Sequence, residues 1–400
     1  MSARAFWRLV GNNLFTTLGL LLGVMQVVVG HWVTVVAAGR QGPGLALGLG
    51  LAAALVAANA ASIPALRRAR RAGGWPRRLA GAYVSAGLVT LLLGLAISLA
   101  WLGFLPLAGI GHLAGASGDT LFTVFRAASG AVVAVLVWML GWGFTLGRAR
   151  LDRTHLRVEL RGLDAALRGL RIVQISDLHI GNVLAGEPVS RLVAHVNDLD
   201  PDLVVVTGDL FDFDPRFVED GARRLGGLRA RSGVYVVLGN HDVYTGTELV
   251  VRALAEHAPG LRLLRDERVR LPLSAPLYLA GVEDPGRDWT ARGLELPAIE
   301  TLGGAHPEDG PTVLLVHRPE AFRQAARLGF PLVLAGHTHG GQIALPTPRG
   351  RLNPARLITR FVRGVYRENG SVLYVNRGAG FAGPALRFNC PREIATIELV

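Results

Sequence analysis

Apolar positions follow two regimes along the 400-residue chain. Up to about residue 150 they form four long stretches, near 14–38, 43–66, 80–108 and 127–146. Each is long enough for the roughly 20 residues that a membrane-crossing helix needs. A cleaved signal peptide accounts for at most the first of them. The pattern therefore predicts an all-α transmembrane domain of about four helices over 1–150. Beyond that point the apolar runs shorten to RIVQIS, LVVVT, VYVVL, TVLLV and PLVLA. Short, largely β-branched runs bounded by glycine or turn residues read as buried strands. Between them Val189, Leu192, Val193, Val196 and Leu199 recur at helical spacing, which predicts a helix over 188–199. Further helices are expected at 245–257 and 318–328, and strands at 155–160, 277–282, 371–375 and 393–399. The alternation predicts an α/β domain over 151–400, two packed sheets flanked by helices.

Charge sharpens this division. The formal net charge of +12 would suit a nucleic-acid binder, but residues 1–150 hold 12 arginines and a single acid, Asp119, whereas 151–400 hold 30 arginines and 29 acids. The excess belongs to the apolar part, so no nucleic-acid partner is expected. It gathers at Arg4 and Arg8, at six arginines between 67 and 78, and at Arg148 and Arg150, with Arg153 just beyond. The intervening loops carry little charge. The positive-inside rule then places both termini and the 151–400 part on the cytoplasmic side of a membrane, with Trp32 and Trp101 near the outer interface. One cysteine, Cys390, leaves no intramolecular disulfide.

The five short runs share a further feature. They lead into Asp177-Leu178-His179, Gly208-Asp209, Gly239-Asn240-His241-Asp242, His317 and Gly336-His337-Thr338-His339. Open α/β sheets bind ligands beyond the carboxyl ends of their strands, so five strand ends would deliver carboxylate, amide and imidazole donors to one edge. Each residue alone has a plainer reading: aspartates cap helices, and Gly-Asn is turn chemistry. Their coincidence in order argues for a site.

The series DLH, GDL, GNHD, a strand-end histidine and GHTHGG resembles the calcineurin-like metallophosphoesterase superfamily over roughly 168–400. The tail NRGAGFAGPALRFNCPREI is similar to the ending of its bacterial membrane-associated branch, which includes hydrolases of UDP-diacylglucosamine in lipid A synthesis. The resemblance implies two divalent metal ions. One would take Asp177, His179, Asp209 and His339, and the other Asp209, Asn240, His317 and His337, with Asp209 bridging. His241 would be left to donate a proton to the leaving oxygen. Mixed imidazole and carboxylate ligands suit Mn, Fe or Zn better than Ca, and such a pair activates water for attack on a phosphoester.

Three more residues are substrate-binding candidates: Arg387 as a phosphate clamp, Gly380 in a glycine-rich loop that an anion can approach, and Asp284 after the strand at 277–282. The stretch 349–367 interleaves arginines with Leu352, Leu357, Ile358, Phe361, Val362 and Val365, a pattern that suits a membrane surface. If it is helical, Leu357, Phe361 and Val365 share one face. The expected protein is a membrane-anchored dinuclear phosphoesterase at the cytoplasmic membrane, its substrate a phosphoester or pyrophosphate that includes lipid-linked ones. The alternatives are a phosphodiesterase for a soluble nucleotide or nucleic acid, and a non-catalytic membrane scaffold that binds metal.

Overall fold

The computed structural model describes residues 14–39, 45–72, 74–286, 299–302, 304–347, 350–357 and 359–400. Expectations that rest on Arg4, Arg8, Arg40, Arg349 and Ile358 lie outside the described residues. The chain forms two compact units, 1–142 and 143–400.

The first unit is all-α: α1 (Leu14–His31), α2 (Leu45–Ala72), α3 (Gly74–Leu113) and α4 (Gly118–Trp142). Wider π-helical turns extend α1 over Trp32–Ala37. Among the described residues three helices are long and apolar enough to cross a membrane, over Gly19–Ala37, Leu79–Leu113 and Gly118–Gly147. This corrects the expectation of four. The apolar part of α2, Leu47–Ser62, falls short because the same helix runs on through Arg67, Arg68, Arg70 and Arg71. Polar side chains between the helices are paired. The Asn59 amide donates to Gln26 Oε1 at 2.9 Å, the Tyr83 hydroxyl donates to Asn59 Oδ1, and Trp32 Nε1–H donates to Ser129 Oγ at 3.0 Å. In an apolar medium unpaired polar groups would be costly, and such bonds link neighbouring helices.

The second unit is a four-layer sandwich. Its first sheet has the order β1 (Leu151–Val158), β14 (Arg392–Leu399), β2 (Arg171–Ile175), β3 (Leu203–Thr207), β4 (Val234–Val237), β5 (Leu261–Leu263). The second has the order β12 (Gly364–Glu368), β13 (Ser371–Val375), β9 (Leu332–Ala335), β8 (Thr312–Leu315), β7 (Tyr278–Gly281), β6 (Glu267–Arg270). A hairpin of β10 (Leu345–Thr347) and β11 (Gly350–Leu352) stands apart. Alternate residues of each strand face opposite layers. From β3, Leu203 and Val205 enter the core between the sheets, where they meet Val313, Leu315, Leu332 and Leu334. Val204 and Val206 face the outer layer of α5 (Glu187–Asn197), α6 (Val218–Leu225) and α7 (Asn240–His257). Val333 and Leu373 face α8 (Phe322–Arg327) on the other side. Burial on both faces is why these strands read as unbroken apolar runs.

Candidate metal centre

Parallel pairing of β2, β3 and β4 in one sheet, and of β8 and β9 in the other, brings five carboxyl ends together. Asp177, Asp209, Asn240, His317, His337 and His339 follow those ends. The backbone there is bent out of its ordinary range. Asp177, His179, Asp209, His337 and His339 all have φ between 47° and 71°, a region that costs most L-residues energy and clusters at functional sites. Close approach is needed as well. A Cβ on Gly336 would lie 2.3 Å from Asp177 Oδ2, and one on Gly239 would lie 2.2 Å from Asp209 Oδ1, so only glycine fits either turn.

Two buried groups of donors result, Asp177 with His179 and His339, and Asp209 with His317 and His337. Asp209 stands between them, its Oδ2 at 3.1 Å from His317 Nε2 and 3.5 Å from His179 Nε2. Across the first group His179 Nε2 faces His339 Nε2 at 2.8 Å, and His339 Nε2 lies 3.5 Å from Asp177 Oδ1. Across the second His337 Nδ1 faces His317 Nε2 at 3.2 Å. The outer nitrogen of His317 is fixed, because Nδ1–H donates to the Thr207 carbonyl at 2.9 Å. That bond turns Nε2 inward, as metal-binding histidines require. Asn240 Oδ1 is buried and has no hydrogen-bond partner in the protein. A buried orphan acceptor is rare, and a cation beside it would satisfy it. The donor set fits divalent metals.

Electrostatics point the same way. Burial opposes charge on Asp209, yet the neighbouring His317 and His241 hold its carboxyl well below the usual range. Burial also opposes charge on His317, but Asp209 pushes its pKa up to about 10. Burial and the adjacent imidazoles push His337 and His339 well down, so both present lone pairs. Burial raises Asp177.

His241 lies at the rim. Its Nδ1 is 3.3 Å from Asp212 Oδ1, and its ring packs edge-on against His179 with centroids 4.4 Å apart. Phe213 lies over the same ring at 4.4 Å, and stacks with Tyr244 at 5.7 Å. Sequence reasoning missed Asp212, although its place three residues after Asp209, on the turn that follows a strand, was a usable signal. It also missed Asp242, which accepts from the amides of Gly239, Leu210 and Phe211 at 2.9, 3.2 and 2.9 Å. Its position in the first turn of a helix signals a capping box.

The three substrate candidates have other surroundings. Arg387 is fully buried, and its terminal nitrogens donate to the carbonyls of Arg377, Gly378 and Gly380 at 2.8, 3.2 and 2.6 Å. In this setting it ties the glycine-rich loop together. Gly380 N–H donates to the Asp177 carbonyl at 2.8 Å, and a Cβ there would lie 1.9 Å from the Leu178 oxygen; it supports the Asp177 turn. Asp284 accepts two bonds from Arg318, at 2.6 and 3.0 Å, with both side chains buried. It thereby anchors the residue next to His317. The stretch 349–367 is not one helix: β11, a 3-10 turn over Pro354–Leu357 and β12 divide it. Phe361 is buried in the core while Leu357 is 91% exposed, so the shared apolar face is corrected. The stretch does border the site, since Asn353 donates to the Gly340 carbonyl and Thr338 to that of Val362.

Comparison with known proteins agrees with this geometry. The family model for calcineurin-like phosphoesterases matches residues 170–341. A transmembrane protein with metallophosphoesterase domain from Danio rerio is 34% identical over 61% of this chain and 56% of its own length. An uncharacterized metallophosphoesterase of Campylobacter jejuni is 32% identical over 60% of this chain and 63% of its own. The uncharacterized metallophosphoesterase YkuE of Bacillus subtilis is 30% identical over 65% of this chain and 90% of its own. The chain thus spans little more than half the length of the first of these relatives and nearly all of the last. Shared identity across almost the whole of a relative, over the segment that carries the buried donor groups, makes this chain a member of the calcineurin-like metallophosphoesterase family.

Proposed function

We propose that the chain hydrolyses a phosphoester or pyrophosphate with two divalent metal ions. The observation that carries the reading is Asp209, whose carboxylate lies between two buried donor groups. One ion would be held by Asp177, His179, Asp209 and His339, and the other by Asp209, Asn240, His317 and His337; Mn, Fe or Zn suits these ligands. Bound there, the pair would supply charge neutralisation for phosphate oxygens and an activated water. The protein's own part is to orient and protonate. Asp212 takes the Nδ1 side of His241, which leaves Nε2 to carry a proton for the leaving oxygen. Phe213, 54% exposed, and Tyr244 form an aromatic wall beside the His241 ring, where the leaving group would sit.

A lipid-linked substrate at the cytoplasmic face is the finer reading. Three apolar helices precede the catalytic unit in the chain, and Leu352 and Leu357 are exposed beside Arg356 in the segment that Asn353 joins to the histidine turn. The test uses the purified full chain. Elemental analysis should find about two metals per chain, and a panel of a chromogenic diester, a nucleotide-lipid pyrophosphate and a phosphatidyl lipid should show metal-dependent turnover. Metal-loaded protein inert on every member would leave the scaffold reading standing. Turnover of the soluble diester alone would remove the lipid.

A further inference from the structure

Cations without carboxylate partners collect beside β1 and α5. A pocket of about 240 Å3 opens there, lined by Ala149, Leu151, Arg191, Leu192, His195 and Arg392 among others. The carboxylates of β1 and β14 are engaged elsewhere, and Glu187, one turn before Arg191 on α5, is the acid on the other side. Asp152 pairs with Arg150 at 2.9 Å and Arg377 at 3.5 Å, Glu393 with Arg377 at 2.7 Å, and Glu398 with Arg157 at 3.2 Å. Among the described residues, Arg148, Arg153, Arg191 and Arg392 form no ion pair.

The groups are ordered nonetheless. Arg153 Nη2 meets His195 Nδ1 at 3.2 Å. Arginine can only donate, so Nδ1 accepts and Nε2 carries the ring proton. Arg392 donates Nε–H to the Ala379 carbonyl and lies 5.6 Å from the Phe381 ring centre. Burial first, and then the charges of Arg387 and Arg148, push the Arg392 pKa down to about 10. Like charges gathered around one pocket repel, and an anion held among them relieves that repulsion. The planar guanidinium fork matches phosphate oxygens. Leu151 and Leu192 give the same pocket an apolar side.

Connectivity supplies the source of the anion. The last apolar span ends at Gly147, and Ala149 already lines the pocket. Two residues of fully extended chain reach at most about 7 Å. The pocket therefore follows that span by two residues of chain, and basic pockets next to membrane-spanning helices bind anionic head groups.

We propose that this pocket binds the phosphate of an anionic phospholipid, with Arg191, Arg392 and the His195 Nε2–H as donors and Leu151 and Leu192 beside the glycerol. None of these side chains belongs to the metal centre, so the proposal stands apart from the hydrolase reading. Full-length protein in a neutral detergent would be titrated by calorimetry with short-chain phosphatidylglycerol, short-chain phosphatidylcholine and inorganic phosphate. Phosphatidylglycerol should bind, more weakly as salt rises, and phosphatidylcholine should not. Arg191→Gln, on the exposed face of α5, should weaken binding about fivefold, and the Arg191→Gln, Arg153→Gln pair more. Arg392→Gln should weaken it further, but the exposed variants decide if that protein fails to fold. Unchanged binding in the Arg191 and Arg153 variants would overturn the proposal, as would equal affinity for phosphatidylcholine. Inorganic phosphate binding as tightly as the lipid would overturn the lipid as occupant and leave a free anion.

Discussion

Asp209 reaches both donor groups, its Oδ2 3.1 Å from His317 Nε2 and 3.5 Å from His179 Nε2, and under the proposed function it is their shared ligand. Replacement by asparagine keeps its shape but removes the charge that a shared ligand supplies. Asp209→Asn should nearly abolish turnover and lower bound metal, read by kinetics beside elemental analysis; near wild-type activity would refute the dinuclear assignment. His241→Ala removes no member of either buried group, though its ring packs on His179. It should retain metal and lose roughly 10²–10⁴ in rate, and Asp212→Asn should lose part of that by freeing the ring. His317 sets the pH dependence. Its raised pKa of about 10 means that the metal-free site holds a proton on Nε2 at neutral pH. Metal must expel that proton, so affinity should rise with pH up to about 10. Calorimetry in buffers of different ionisation enthalpy should count close to one proton released; none released would show that His317 is not a ligand.

At the scale of elements, the site is a set of turns held from behind. The loop 376–383 carries this support. Asn376 Oδ1 accepts from Gly378 N–H at 2.8 Å, Ala379 N–H donates to the Ser176 carbonyl at 2.9 Å, and Gly380 N–H to that of Asp177. Gly380→Ala would force its methyl group against the Leu178 carbonyl. It should cost about 1–3 kcal/mol, seen as a lower melting temperature together with weaker metal binding. A change in neither would mean that this loop yields without moving Asp177. The helix pattern of 349–367 failed at the same scale. Spacing by four suggested one face, but Phe361 packs between Phe322 and Tyr366, with ring centres 5.7 and 5.1 Å away.

Across the whole molecule the open question is the side on which the catalytic unit lies. Among the described residues three helices meet the length and apolarity of a span. The arginines gathered at 67–78 and at Arg148, Arg150 and Arg153 lead us to predict that the catalytic unit faces the cytoplasm. A reporter active only outside the cytoplasm should be silent after Val400. A signal from Val400 would place the catalytic unit outside.

The sequence by itself determined the division into an apolar and a catalytic part, the strands, and the order of the metal-directed residues. Those features are local: apolar periodicity marks elements, and turn residues mark their ends. What lies behind the site was decided only by tertiary structure. Arg387 and Phe361 both looked like surface residues, but a buried guanidinium among carbonyls and an aromatic ring in a core arise from segments far apart in the chain. The same holds for the left-handed turns at Asp177, Asp209 and His337. Their strain persists because packing from two sheets over-determines it, which no run of neighbouring residues reveals.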